Sequence, residues 1–132
     1  MASTQPRRDF LKRLLALPLL GAPQLAAPRA TELDFNVFPV AGFGFHEGPE
    51  IIRRLQPGDE LMLVPEPDNP HDPRAIRIEA RGRHIGYVPR SENRPLGRLL
   101  EQGAELRARV VRVQPAAESW DVLRVGVGLR LT

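Results

Sequence analysis

The stretch Glu66-Pro-Asp-Asn-Pro-His-Asp-Pro73 holds three prolines in eight residues. Proline has no N–H to donate and pushes the residue before it into extended backbone, so no helix runs through here. Asn69 and Asp72 are residue types that bond their own backbone in turns and so set the shape of a loop. Directly afterwards Ile76, Ile78 and Ala80 alternate with Arg77 and Glu79, Arg81-Gly82 reverses the chain, and Ile85 and Tyr87 alternate again. That pattern is a β-hairpin. A stiff polar loop held against a hairpin carrying arginines is suited to recognition, and it commits the middle of the chain to β structure.

The flanks extend the same architecture. Phe35–Phe45 reads as a first strand, interrupted by Pro39 and loosened by Gly42 and Gly44. Glu47–Glu50 reads as a turn, Ile51–Leu55 as a short apolar segment, and Glu60–Val64 as a nearly continuous apolar strand of the kind buried on both faces. One helix is predicted, with Asn93 as its cap, Pro95 in its first turn, Leu96, Leu99 and Leu100 as its apolar stripe and Gly103 at its end. Glu105–Val113 and Trp120–Leu131 are the closing strands, and in the latter Leu123, Val125, Val127, Leu129 and Leu131 share one face. The expected fold is mainly β, a small SH3-like or OB-like barrel of about six strands with one or two short helices.

Residues 1–30 differ from the rest. A basic start is followed by the apolar run Leu14–Leu20 and an Ala/Pro-rich tail, which is the layout of an export signal. Arg7-Arg8-Asp-Phe-Leu-Lys12 fits the twin-arginine pattern, with processing expected near Ala26–Ala30 and a periplasmic or secreted destination. The apolar run is shorter than the roughly 20 residues a membrane span needs. The expected division is therefore a signal over residues 1–30 and a domain over 31–132. Most of the positive charge leaves with the signal. The whole chain is formally +3, but residues 31–132 carry 14 arginines, 15 carboxylates and no lysine, a net charge of −1. Such a body is a poor non-specific polyanion binder, because that binding runs on phosphate neutralisation. Yet seven arginines face two carboxylates between Arg74 and Arg98, a local basic excess on a near-neutral body.

Catalysis finds little support. With no cysteine there is no disulfide, zinc thiolate or thiol nucleophile. No Gly-x-Ser-x-Gly or phosphate-binding Gly-x-x-x-x-Gly-Lys motif occurs. His46, His71 and His84 lie near carboxylates in sequence but lack the spacing of a metal site. No cofactor and no metal are expected.

The acidic-Pro-x-Asn-Pro-x-Asp loop, the Ala75-Ile76 strand and Gly86-Tyr-Val-Pro-Arg90 closely resemble the signature of the HIRAN domain, a small β-barrel module found on DNA helicases. The resemblance implies a non-enzymatic binding module that holds the 3′ end of single-stranded DNA in a pocket formed by this loop and the first strand. Carried over position by position, it implies base stacking by Phe45, polar contacts from Asn69 and Asp72, and a ring at His71. It implies a further ring at Tyr87 and a phosphate contact from Arg90. Gly44 stands where the helicase-type domains carry a basic residue. On their own chemistry, Asn69 and Asp72 either brace the loop or touch a ligand, and Tyr87 either packs in the barrel or lines a site. An export signal favours another ligand for the same pocket, a peptide, glycan or other anion of the cell envelope.

Overall fold

The computed structural model describes residues 32–117 and 120–130. The expected signal over residues 1–30 lies outside them. The described elements are six strands, two short helices and two 3-10 turns. In chain order these are β1 (Glu32–Pro39), a 3-10 turn (Phe43–Phe45), α1 (Gly48–Ile51), a second 3-10 turn (Ile52–Arg54) and β2 (Glu60–Pro65). Then come β3 (Ile76–Ala80), β4 (Arg83–Tyr87), α2 (Arg90–Glu101), β5 (Leu106–Val113) and β6 (Leu123–Arg130). The strands form one antiparallel sheet in the order β1-β6-β5-β2-β3-β4, curled into a half-barrel, so the mainly β expectation holds.

Three features curl the sheet. The central strand β2 changes partner along its length, pairing with β5 at Glu60 and Leu61 and with β3 from Met62 to Pro65. Bulges at Ile78/Glu79 and between Val110 and Arg112 add local twist. The two outer edges then meet. Val40 N–H donates to the Leu123 carbonyl of β6 (3.3 Å), while Ala41 and Tyr87 of β4 exchange both backbone bonds (2.8 and 2.9 Å). Gly86 permits that closure. Its φ is +149°, and a Cβ there would lie 2.4 Å from Val40 Cγ1 and 2.5 Å from the Ala41 carbonyl oxygen.

The hairpin forms as expected, with Ala80 opposite Arg83 and Arg81-Gly82 between them at φ 52° and 77°. Positive φ at both central residues is the type I′ geometry that matches strand twist. The core gathers Phe38, Ile76, Ile78, Ile85, Leu96, Val110, Leu123, Val125 and Val127, each at most 2 % exposed.

Several boundaries differ from the sequence reading. The first strand stops at Pro39, because Gly42 turns left-handed (φ 70°) and Phe43–Phe45 winds into a 3-10 turn. Glu47–Glu50 is not a plain turn but leads into α1, with Pro49 in its first turn, where the missing N–H costs nothing. β2 is not buried on both faces: Leu61 is buried, Met62 is 65 % exposed, and antiparallel sheets commonly leave one face to water. The helix α2 begins at Arg90 with Pro89 as its cap, which places Asn93 and Pro95 inside it. Asn93 is 4 % exposed, and its amide is engaged by Asp72 rather than by a helix terminus. The far end follows expectation. Gly103 (φ 81°) donates to Leu100 and Ala104 to Leu99, the paired bonds of a Schellman stop. Of the apolar stripe, Leu96 is fully buried, whereas Leu99 and Leu100 are half-buried. The last strand starts at Leu123 instead of Trp120, which is 63 % exposed. Among the described residues no helix is long and apolar enough to cross a membrane.

Candidate functional site

The Pro-rich loop is built by its own side chains. Asn69 Oδ1 accepts the N–H groups of His71 (2.9 Å) and Asp72 (3.2 Å), while its Nδ2 donates to Glu66 Oε1 (3.1 Å). Asp72 Oδ1 accepts the Arg74 N–H at 2.9 Å, and Asp72 Oδ2 accepts Asn93 Nδ2 from α2 at 2.9 Å. Arg90, at the start of the same helix, holds its Nε 3.8 Å from Asp72 Oδ2. Two short polar side chains thus shape the loop, and one of them staples it to α2.

Glu66 ties the loop to the hairpin. It accepts from Tyr87 Oη (2.9 Å) and Arg77 Nη1 (2.9 Å) as well as from Asn69. Burial alone would raise its pKa, but the hydrogen bonds from Asn69 and Tyr87 and the Arg77 charge outweigh it and hold the carboxyl below its ordinary range. The Asp72 carboxyl is likewise lowered, first by the Arg74 N–H, then, against partial burial, by Asn93 and the nearby arginines. Tyr87 is shifted the other way, by burial and by its bond to Glu66, and so remains a phenol that donates.

Beside this network three rings pack together. His46 and His84 stack with centroids 4.0 Å apart and 25° between planes, and Tyr87 meets His84 edge-on at 4.9 Å and His46 at 5.5 Å. Burial, then the neighbouring His46 and Arg77, lower the His84 pKa and keep that ring neutral at pH 7. A neutral ring is the one that stacks without charge repulsion.

His46, Tyr87 and the loop border a cleft of about 400 Å³. Asn69, His71, Asp72, Tyr87 and Arg90 all line it, joined by His46 from the segment after β1. Five of the six residues singled out in sequence therefore come together. Phe45 stands apart, 90 % exposed on its 3-10 turn and outside the cleft lining. The ring that this segment supplies to the cleft is the next residue, His46. Asn93 also lines the cleft, although in sequence it looked like a helix cap. The only sign of either role was proximity in sequence, to Phe45 and to Pro95. Among the described residues no cluster of histidines and carboxylates could hold a metal ion.

The cleft thus gathers planar rings, which can stack, an exposed guanidinium, which can pair with an anion, and a fixed carboxylate, which can accept hydrogen bonds. A family model described as the HIRAN domain matches residues 34–130, and the chain belongs to that family, whose domain binds rather than catalyses. No curated protein sequence matches it. Two solved structures are similar in fold. A protein from Lactobacillus plantarum aligns with a TM-score of 0.66 at 20 % identity, over 76 % of this chain and 97 % of its own. The HIRAN domain of human HLTF aligns with a TM-score of 0.57 at 15 % identity, over 76 % of this chain and 80 % of its own.

Proposed function

We propose that this domain binds the 3′ end of single-stranded DNA in the cleft bordered by the Pro-rich loop, the segment after β1, the end of β4 and the start of α2. The family is known to bind DNA ends. The observation that carries the reading is the grouping of His46, His71, Tyr87, Asp72 and Arg90 around a single cleft. Rings of this kind stack on bases, and arginine forks onto phosphate. The lowered pKa of Asp72 leaves a carboxylate at neutral pH, an acceptor for a terminal sugar hydroxyl and a repellent for a terminal phosphate. Fluorescence anisotropy with short oligonucleotides tests this. Tighter binding to a free 3′ hydroxyl than to a 3′ phosphate is expected, and equal binding to both, or to neither, overturns the reading.

A second ligand class is favoured by one observation, the twin-arginine pattern Arg7-Arg8 ahead of an apolar run. We propose export to the periplasm or beyond, where the same cleft would meet an anionic peptide or glycan. Replacing Arg7 and Arg8 together by lysine is expected to leave precursor in the cytoplasm. Normal processing and export of that variant would rule out the twin-arginine route.

A further inference from the structure

The arginines of this domain fall into two populations. Those on the strands are largely neutralised: Arg77 pairs with Glu66 and Glu79, Arg83 with Glu47 and Glu50, and Arg112 and Arg124 with Asp121. On α2 the pattern reverses. Arg94 and Arg98 are exposed and have no ion pair among the described residues, and Arg90, its side chain 78 % exposed, has only a 3.8 Å contact to Asp72 and a long 3.4 Å bond to the His71 carbonyl. The three stand at i, i+4 and i+8. Each step advances about 6 Å along the helix and turns about 40° around it. Arg90, Arg94 and Arg98 therefore form a gently winding line, with a spacing comparable to that of successive phosphates on an extended strand.

This line joins two cavities. Arg90 lines the ring cleft, while Arg94 and Arg98 line a second groove of about 360 Å³ between α2 and the far side of the Pro-rich loop. Ala75 and Asn93 border both, so the Asp72–Asn93 bond is the lip between them. The groove wall opposite the helix presents Pro65, Pro67 and Pro73, rigid apolar faces against which a sugar or base can lie. Glu101 is its one carboxylate, at the end away from Arg90. Between the two arginines the helix carries Gly97, a weak helix former, and nothing lies within 4 Å of where its Cβ would be. A bare backbone at that point leaves room for a chain to lie on the helix.

We infer that α2 is a phosphate track. The nucleotides on the 5′ side of the end held in the cleft cross the Asp72–Asn93 lip and lie in the second groove, with successive phosphates on Arg90, Arg94 and Arg98. This extension rests on the strand-end reading of the cleft, and the experiment separates the two. Anisotropy is measured for free-3′-end oligonucleotides of two, four and six nucleotides on the parent, on Arg94→Gln/Arg98→Gln and on Gly97→Leu. For the parent, affinity rises from two to four nucleotides. In the double variant the four-nucleotide ligand weakens by about tenfold or more, while the two-nucleotide ligand is unchanged. The slope of log K against log salt becomes shallower by about 1.4 for two lost contacts to a single strand. Gly97→Leu, which fills the groove and favours the helix, gives the same loss of length dependence with the charges in place. Unchanged length dependence in both variants overturns the track and leaves the cleft reading standing. Loss of length dependence on Phe45→Ala instead would send the strand out past the exposed ring of Phe45, and the track would fall. A parent that binds none of the oligonucleotides removes both readings together.

Discussion

At the scale of single residues, the polar side chains of the loop serve structure first and leave selected edges for a ligand. Asn69 spends its carbonyl oxygen on two backbone N–H groups and its amide on Glu66. Asp72 uses one bond from each oxygen, yet an ionised carboxylate can accept about four. The bracing and the binding readings of Asp72 are therefore compatible. Both acids make stability depend on pH. Their folded pKa values are lowered relative to ordinary values of about 4.3 for Glu and 3.9 for Asp. Between the lowered and ordinary values the unfolded chain binds more protons, so stability present near neutrality is lost as pH falls through that window. His84 acts in the same sense at higher pH. Its lowered pKa makes stability begin to fall once pH drops below about 6.5. Urea midpoints from pH 7 to pH 3 should decline for the parent and decline less steeply in the acid range for Glu66→Gln. Parallel profiles would show that the Glu66 network contributes nothing to acid sensitivity.

At the scale of elements, packing decides what periodicity leaves open. The stripe of α2 reads in sequence as three equivalent leucines, but only Leu96 is fully enclosed and Leu99 keeps part of its surface in water. Leu96→Ala should cost about 2–5 kcal/mol in chemical denaturation. Leu99→Ala should cost clearly less, and equal losses would mean that the helix packs through both. The hairpin and the final strand were legible because alternation over several residues reports directly which side chains face the core. The helix start was not, because Asn93 and Pro95 carry the local marks of an N-terminus while Asp72, 21 residues earlier, claims the Asn93 amide. The first strand misled for a similar reason. Phe43 and Phe45 keep the apolar rhythm of a strand, but the left-handed Gly42 and the bridge from Ala41 to Tyr87 end it. Long-range bonds of this kind leave no mark in local sequence.

At the scale of the whole molecule, charge is distributed rather than accumulated. With a net charge of −1 over residues 31–132 and most strand arginines paired, the proposed binding of a DNA end has to come from few contacts. Anisotropy against salt should give a slope no steeper than about −2, as three phosphate contacts to a single strand allow. A much steeper slope would point to a wider basic surface. The site was half legible at this scale. The loop motif named its own residues, but the stacked His46–His84 pair is assembled from segments far apart in sequence, and only the fold brings them together. The strand order carries one more consequence. β6, the last of the described strands, lies between β1 and β5, so β1 cannot find this neighbour until β6 has left the ribosome. At about 5–20 residues per second, translation keeps Phe38 and Val40 waiting for several seconds. During that interval the side chains that β1 and the residue just after it bury in the finished fold, Phe38 and Val40 among them, stay in water without their neighbouring strand.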